Sequence, residues 1–521
     1  MESEAWFFHL NIERQKLSAM ADGLPSEEFK AIRFTVGLPP EVDQADPASW
    51  PPGHPLHPDV CGLHWGWQGS YVFLAIEGHF SGEVGQGNGF SYHLARSDSP
   101  MKVELPVRFS GGQPHTLKLF FDLAALTAEG AVVREGLSTH SRDGDLLAVR
   151  LKAGVADCFR VKSIGSDLFQ ALSQNPRPLP CQPSIGTRYP LEISQRLPKV
   201  SLPEDNPLTI EGVELGRRLF HDARLSKTAS QSCASCHDRK KSFTDGRDRS
   251  PGAEGQEGRR SAMALVNLAW ASHYFWDGRA NSLRDQALMP IQDPREMNET
   301  IVRVIEKLSS DPTYPNQFRD AFGTRELSGT RLGLALEQFL LTLISQDSKF
   351  DRAARRLETL TDQEQLGLKL FITESDPARG LRGADCFHCH GGNLFTSHQF
   401  ANNGLEERSG DRGRMEVTRL ESDRGKFKIP TLRNSSLSAP YMHDGRFATL
   451  EAVVDHYDHG VRRSSQLDPN LAKHPDSGLG LTPAEKQALV AFLRTLTDAP
   501  FVAPTLTHEP STLRTPQPTD P

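Results

Sequence analysis

Short strand-like runs punctuate residues 1–160: Ala31-Ile32-Arg33-Phe34-Thr35-Val36, Tyr71-Val72-Phe73-Leu74-Ala75-Ile76 and Thr116-Leu117-Lys118-Leu119-Phe120-Phe121. Each alternates apolar and polar positions or gathers β-branched and aromatic residues, and Gly and Pro clusters separate them. A β-rich, sandwich-like domain over 1–160 is the expectation. The Pro-bearing stretch that follows makes a poor core, so 161–206 reads as a linker. Beyond it the apolar period becomes helical. After Thr482-Pro483-Ala484-Glu485, a capping box with Pro at the first helical position, Leu489, Val490, Phe492, Leu493 and Leu496 fall on one face. Thr361 and Glu364 form a second capping box. The apolar run Leu332–Ile344 carries Glu337 and Gln338 and is too short and too polar to span a membrane. The Pro- and Thr-rich end, 499–521, reads as a disordered tail.

Within the helical part a set of landmarks occurs twice in the same order. The first set is Leu215-Gly216-x-x-Leu219-Phe220, Cys233-x-x-Cys236-His237, Phe243-Thr244, Tyr274-Phe275-Trp276-Asp277-Gly278-Arg279 and Ser282-Leu283. The second is Leu366-Gly367-x-x-Leu370-Phe371, Cys386-x-x-Cys389-His390, Phe395-Thr396, Tyr441-Met442-His443-Asp444-Gly445-Arg446 and Thr449-Leu450. Two related helical domains of ordinary size follow, 207–360 and 361–498. In each, Cys-x-x-Cys-His is the attachment signature of a c-type haem: two thiols reach the porphyrin vinyl groups and the adjacent His ligates iron. Two covalent haems are expected, on Cys233, Cys236 and His237 and on Cys386, Cys389 and His390. One zinc site built from both Cys pairs is the alternative, and the His after each second Cys argues against it.

A formal net charge of -7 over 521 residues gives no basic field for nucleic acid. Haem attachment to this motif belongs to the bacterial periplasm, yet Met1-Glu2-Ser3-Glu4-Ala5-Trp6 has neither a basic nor an apolar leader region. The expectation is therefore a periplasmic protein whose given sequence starts inside a longer reading frame. Cys61, Cys158 and Cys181 remain after the haem cysteines, and Cys158 with Cys181 is one candidate bridge.

The two repeats differ where the sixth iron ligand would come from. The second continues to Asp455-His456-Tyr457-Asp458-His459, three candidate ligands in one stretch, whereas the first continues through Gln286 and Met289 to Asp293-Pro294-Arg295-Glu296-Met297. An open first haem and a capped second one follow, and only an open iron activates peroxide.

On these residues the chain resembles the bacterial di-haem cytochrome c peroxidase family, including its MauG branch, over about 205–497. The resemblance implies a peroxidatic first haem with His237 proximal, Gln286 and Glu296 in the distal pocket with Glu296 moving the proton for O–O cleavage, and Trp276 as the inter-haem tryptophan. It implies that Tyr457 takes the distal position on the second haem, as in MauG-type enzymes, where other members place Met; His456 or His459 is the alternative ligand. A phenolate stabilises oxidised iron, which suits a store of oxidising equivalents better than an acceptor from small cytochromes. The loop Pro251–Glu257 lacks the His that blocks the first haem in other family members, so no reductive activation is expected. A bridging calcium would use the carbonyls of Ser438 and Pro440, with Ser261 standing where the family has Asn.

The first domain resembles MbnP-like copper-binding proteins through Gly62-Leu63-His64-Trp65-Gly66-Trp67-Gln68-Gly69-Ser70-Tyr71, Tyr92-His93 and Thr139-His140. In that family a MauG-like partner, MbnH, oxidises a tryptophan to kynurenine, which then helps bind copper. The resemblance makes His54, His57, His64, His93 and His140 candidate copper ligands and Trp6, Trp65 and Trp67 candidate oxidised tryptophans. Trp65 and Trp67 read equally well as same-face neighbours of a strand. The whole reading is a di-haem peroxidase that uses hydrogen peroxide to form a high-valent di-haem state and oxidises a protein substrate, its own first domain or another protein. The rivals are an ordinary cytochrome c peroxidase fed by a small cytochrome or copper protein, and a non-enzymatic electron carrier or copper carrier.

Overall fold

The computed structural model describes residues 186–376 and 380–503 and, before them, 26–45, 50, 54, 56, 64–65, 70–80, 89–96, 101–111, 115–126, 136–142 and 144–165. Trp6, His57, Cys61, Trp67, Cys181 and the tail after Ala503 lie outside the described residues.

The N-terminal part is strand-rich, as the alternation predicts. Its strands are β1 (Glu28–Val36), β2 (His64–Trp65), β3 (Ser70–His79), β4 (Gly89–Ala95), β5 (Met101–Ser110), β6 (Thr116–Phe121), β7 (Ser138–Thr139) and, after helix α1 (Leu146–Cys158), β8 (Phe159–Gly165). One sheet runs β2-β3-β4-β7, with β4 and β7 parallel, and β1 with β5 and β6 with β8 make antiparallel pairs. Period-two burial is clearest in β5, where Met101, Val103, Leu105 and Val107 are buried and Lys102, Glu104, Pro106 and Arg108 are exposed. The alternation gave no sign of α1. Asp145 caps it by accepting from the Ala148 amide, and Leu147, Leu151, Val155 and Cys158 pack on Tyr92, Leu94 and Met101. Cys158 is an unbridged thiol that donates to the Gly154 carbonyl at 3.2 Å, so the candidate bridge to Cys181 is not formed.

The two helical units repeat one another in backbone detail. Their main helices are α2 (Ile210–Phe220), α3 (Leu283–Gln292) and α4 (Gly329–Leu341) in the first, and α5 (Asp362–Phe371), α6 (Leu450–Asp455), α7 (Pro469–Ala472) and α8 (Pro483–Arg494) in the second. The repeated Leu-Gly-x-x-Leu-Phe has a packing reason. A Cβ on Gly216 would lie 1.9 Å from the Ala335 carbonyl oxygen of α4, and one on Gly367 would lie 1.9 Å from that of Ala488 in α8. Glycine thus lets α2 cross α4, and α5 cross α8, at backbone contact, while Leu219 and Phe220 or Leu370 and Phe371 fill the cores beside the crossings. The second landmark repeats too: Tyr274 bridges Ala280 and Tyr441 bridges Phe447. Gly278 and Gly445 both hold positive φ there, at 68° and 70°. Thr361 and Thr482 cap α5 and α8 in the reciprocal boxes that the sequence predicts.

Part of the stretch read as a linker is a bound strap. Leu197 is buried with Trp270 and Leu394, and Asn206 donates to Glu337 at 2.8 Å while accepting from Gln338 at 2.9 Å. The two polar residues inside the apolar run of α4 therefore anchor the strap, and the half-buried Arg284 pairs with buried Glu337 at 2.7 Å. Among the described residues no helix is long and apolar enough to cross a membrane.

Candidate active site

Each Cys-x-x-Cys-His lies on a single helical turn, Cys233–Cys236 and Phe387–His390, and all four cysteines are unbridged. His237 Nδ1 is 2.7 Å from the Phe243 carbonyl oxygen, and His390 Nδ1 is 3.2 Å from that of Phe395. A carbonyl that takes the Nδ1 proton fixes the tautomer and leaves Nε2 as the ligand nitrogen, so both units fit an iron held by a proximal imidazole. Burial keeps both imidazoles below the ordinary histidine value, that of His390 at about 4.

Glu296 follows α3 on the turn Asp293–Met297, and its charge bears on Cys233 and Cys236. Burial, reinforced by the Asp293 carboxylate and opposed by Arg279, pushes its carboxyl up to about 7. The loop 251–257 holds this turn, since the Ala253 amide donates to the Glu296 carbonyl at 2.7 Å and a Cβ on Gly252 would meet the Arg295 carbonyl oxygen at 2.3 Å. Gln286 stands half-buried on α3. Trp276 is placed between the units: its indole N–H donates to the Ser261 carbonyl at 3.0 Å and its own carbonyl accepts from the Lys428 amide at 2.7 Å. Around it Arg260 joins Asp277 at 2.7 Å to Asp411 at 2.8 Å, an inter-unit clamp that the sequence reading did not contain.

In the second unit α6 runs into a π-turn, His456–Gly460, a local irregularity common at functional sites. Tyr457 on that turn lies near enough to Cys386 and Cys389 for their charges to bear on its phenol, which burial raises above its ordinary value against a hydrogen bond from Asn403 at 3.4 Å. Its rivals are engaged elsewhere. His456 Nε2 is 2.9 Å from the Asn403 carbonyl oxygen, and the His459 side chain is 59% exposed and paired with Asp458. The Ser261 hydroxyl donates to the Met442 carbonyl at 2.9 Å, and Ser438 precedes the cis bond Ala439–Pro440.

Of the candidate copper ligands, His93 on β4 and His140 just after β7 come together, their rings 4.9 Å apart, beside His388 of the second haem motif. His54 instead stacks on Trp50 at 4.3 Å, and His64 and Trp65 form β2, opposite Tyr71 and Ser70. His388 was missed, although a histidine between the two cysteines of a haem motif was visible in the sequence.

A family model described as di-haem cytochrome c peroxidase matches residues 210–359, and the MbnP model matches residues 3–141. The methylamine utilization protein MauG of Methylorubrum extorquens is 38% identical over 59% of this chain and 84% of its own. The cytochrome c551 peroxidase of Nitrosomonas europaea is 36% identical over 56% of this chain and 81% of its own. Among solved structures, a MauG-like protein associated with microbial copper homeostasis aligns at TM-score 0.55 and 32% identity over 62% of this chain and 99% of that one. With paired haem turns, a half-buried glutamate beside the first and a bridging tryptophan, this chain belongs to the di-haem cytochrome c peroxidase and MauG family and carries an MbnP segment ahead of its two haem units.

Proposed function

We propose that this di-haem peroxidase directs the oxidising power of hydrogen peroxide onto a protein side chain, a tryptophan of its own MbnP segment, Trp6, Trp65 or Trp67, for copper binding in the periplasm. The observation that carries the reading is Tyr457 beside Cys386 and Cys389, where a methionine would serve a peroxidase fed by cytochromes. The docking of the MbnP segment on the second haem turn, through His93 and His140 against His388, supports an intramolecular substrate.

Bound haem supplies an iron that accepts peroxide and stores oxidising equivalents. The chain does the rest. Glu296, with its carboxyl at about 7, takes a proton from the incoming peroxide and returns it to the departing oxygen. Gln286 orients the same substrate from α3. Trp276, locked by Ser261 and Lys428, gives the electron path between the units. His237 and His390 would hold the irons, and Tyr457 would be a further protein donor to the second. At the substrate the oxidising equivalents of two peroxides, each reduced to two waters, remove four electrons and four protons from one tryptophan, and two waters supply the oxygen atoms that open the indole ring. Hydrolysis then releases formate, a net gain of about 4 Da.

Peptide mass spectrometry of the haem-loaded chain, before and after two equivalents of peroxide, tests this reading. A gain of about 4 Da on one of the three tryptophans supports it. Unmodified tryptophans, with peroxide consumed only when a reduced cytochrome is present, would return the chain to ordinary cytochrome c peroxidase activity.

A further inference from the structure

His93 lies inside β4 and His140 just after β7 of the MbnP segment, His388 lies on the second haem turn, and one ring nitrogen of each lies within 4.8 Å of the others. Their rings are 4.9, 4.9 and 5.6 Å apart. Two of the rings are held on one nitrogen by a carboxylate, and the third faces both a carboxylate and an ammonium. His93 Nε2 is 2.8 Å from Glu77, His140 Nδ1 is 3.1 Å from Glu374, and His388 Nε2 is 3.5 Å from Asp385 and 3.3 Å from Lys473. A carboxylate on one nitrogen directs the opposite nitrogen of the ring to a metal, the usual outer arrangement of imidazole sites. In the two haem motifs this is the work of the Phe243 and Phe395 carbonyls; here carboxylates do it for His93 and His140.

Charge points the same way. Glu374 and Asp385 are buried with the single ammonium of Lys473, at 3.1 and 3.4 Å, and Glu77 adds a third carboxylate at the rim. The cluster therefore holds formally more negative than positive charge in a poorly solvated interior, which a cation among neutral imidazoles would balance. The contact is built closely, since a Cβ on Gly89 of β4 would lie 2.1 Å from the Pro469 carbonyl oxygen of α7, the helix that precedes Lys473.

We infer that His93, His140 and His388 together hold a late first-row transition ion, copper or zinc, in a site shared by the MbnP segment and the second haem turn. Three imidazoles suit these ions over calcium or magnesium, which take oxygen ligands. This deepens the copper part of the proposed function and rests on it for the class of ligand, while adding a donor from the haem unit and needing no peroxide chemistry. Because His388 lies between Cys386 and Cys389, the ion would sit beside the second haem, and its ligation would tie the two parts of the chain together.

The test titrates the chelator-treated, haem-loaded protein with Cu(I), Cu(II) and Zn(II) against competing chelators, with haem content and peroxide turnover measured on the same samples. Wild type is expected to bind one equivalent of copper or zinc outside the haems, and the arm that binds identifies the ion. H93A, H140A and H388A should each weaken binding about 100-fold or more at unchanged haem content, and E374Q about 10- to 100-fold, as outer-shell changes do. Imidazole couplings from three histidines in the Cu(II) electron paramagnetic resonance spectrum of wild type give the same answer without a mutation. Absence of stoichiometric binding, or binding lost in H93A but intact in H388A, would overturn the shared site. Metal binding without peroxide turnover would instead remove the proposed function and leave this inference standing.

Discussion

Glu296 carries its carboxyl at about 7 because burial and Asp293 outweigh Arg279. A base must be ionised to accept the peroxide proton, so the rate of reaction with peroxide should fall as pH drops below about 7, as the carboxyl protonates. E296Q should lower that rate about 10²- to 10⁴-fold and abolish the pH limb, measured by stopped-flow mixing of ferric protein with peroxide. At Tyr457 the exchange Y457M should raise the reduction potential of the second haem, because a thioether favours reduced iron, and spectroelectrochemistry reads the shift. An unchanged potential would remove Tyr457 from the iron. The haem-attachment motifs that contain His237 and His390 were legible from spacing alone. Tyr457 was named through the family resemblance while local spacing left His456 and His459 open; His456 reaching the Asn403 carbonyl and His459 facing solvent, which no local pattern encodes, favour the tyrosine.

At the scale of elements, the repeat in sequence is a repeat in helix crossing. Gly216 and Gly367 meet backbone carbonyls at the distance where any side chain must push the helices apart. G216A and G367A should therefore each destabilise the haem-loaded protein by about 1–3 kcal/mol or more, seen as a lower denaturant midpoint. T482A removes the α8 cap and should cost about 1 kcal/mol by the same assay. The strands of the first part and the capped helices of the second were visible as periods of two and of 3.6 residues. Helix α1 was not: its buried positions Leu147, Leu151 and Val155 sit among other apolar residues, including the exposed Leu146 and Val149, which blurs the stripe. The strap after residue 186 was hidden for a different reason. Its anchors are Glu337 and Gln338, polar residues that read from sequence as interruptions of a helix and serve in the fold as its hydrogen-bonding partners.

Across the whole molecule the consequential contact joins the MbnP segment to the second haem unit, between residues about 300 positions apart such as His93 and His388. Nothing in either segment alone foretells it, since long-range pairing leaves no period in a sequence. Under the proposed function it sets the candidate substrate segment against the second haem unit, so oxidation would travel there through Trp276. The measurement that tests this account most directly mixes fully ferric, haem-loaded protein with one equivalent of peroxide, without any reductant, and follows the optical bands of both haems in wild type and W276F. The account predicts that both sets of bands change promptly in wild type, with no prior reduction, and that the second set lags or fails in W276F. Ferric protein inert to peroxide until half-reduced, or bands that change only at the first haem in wild type, would contradict it.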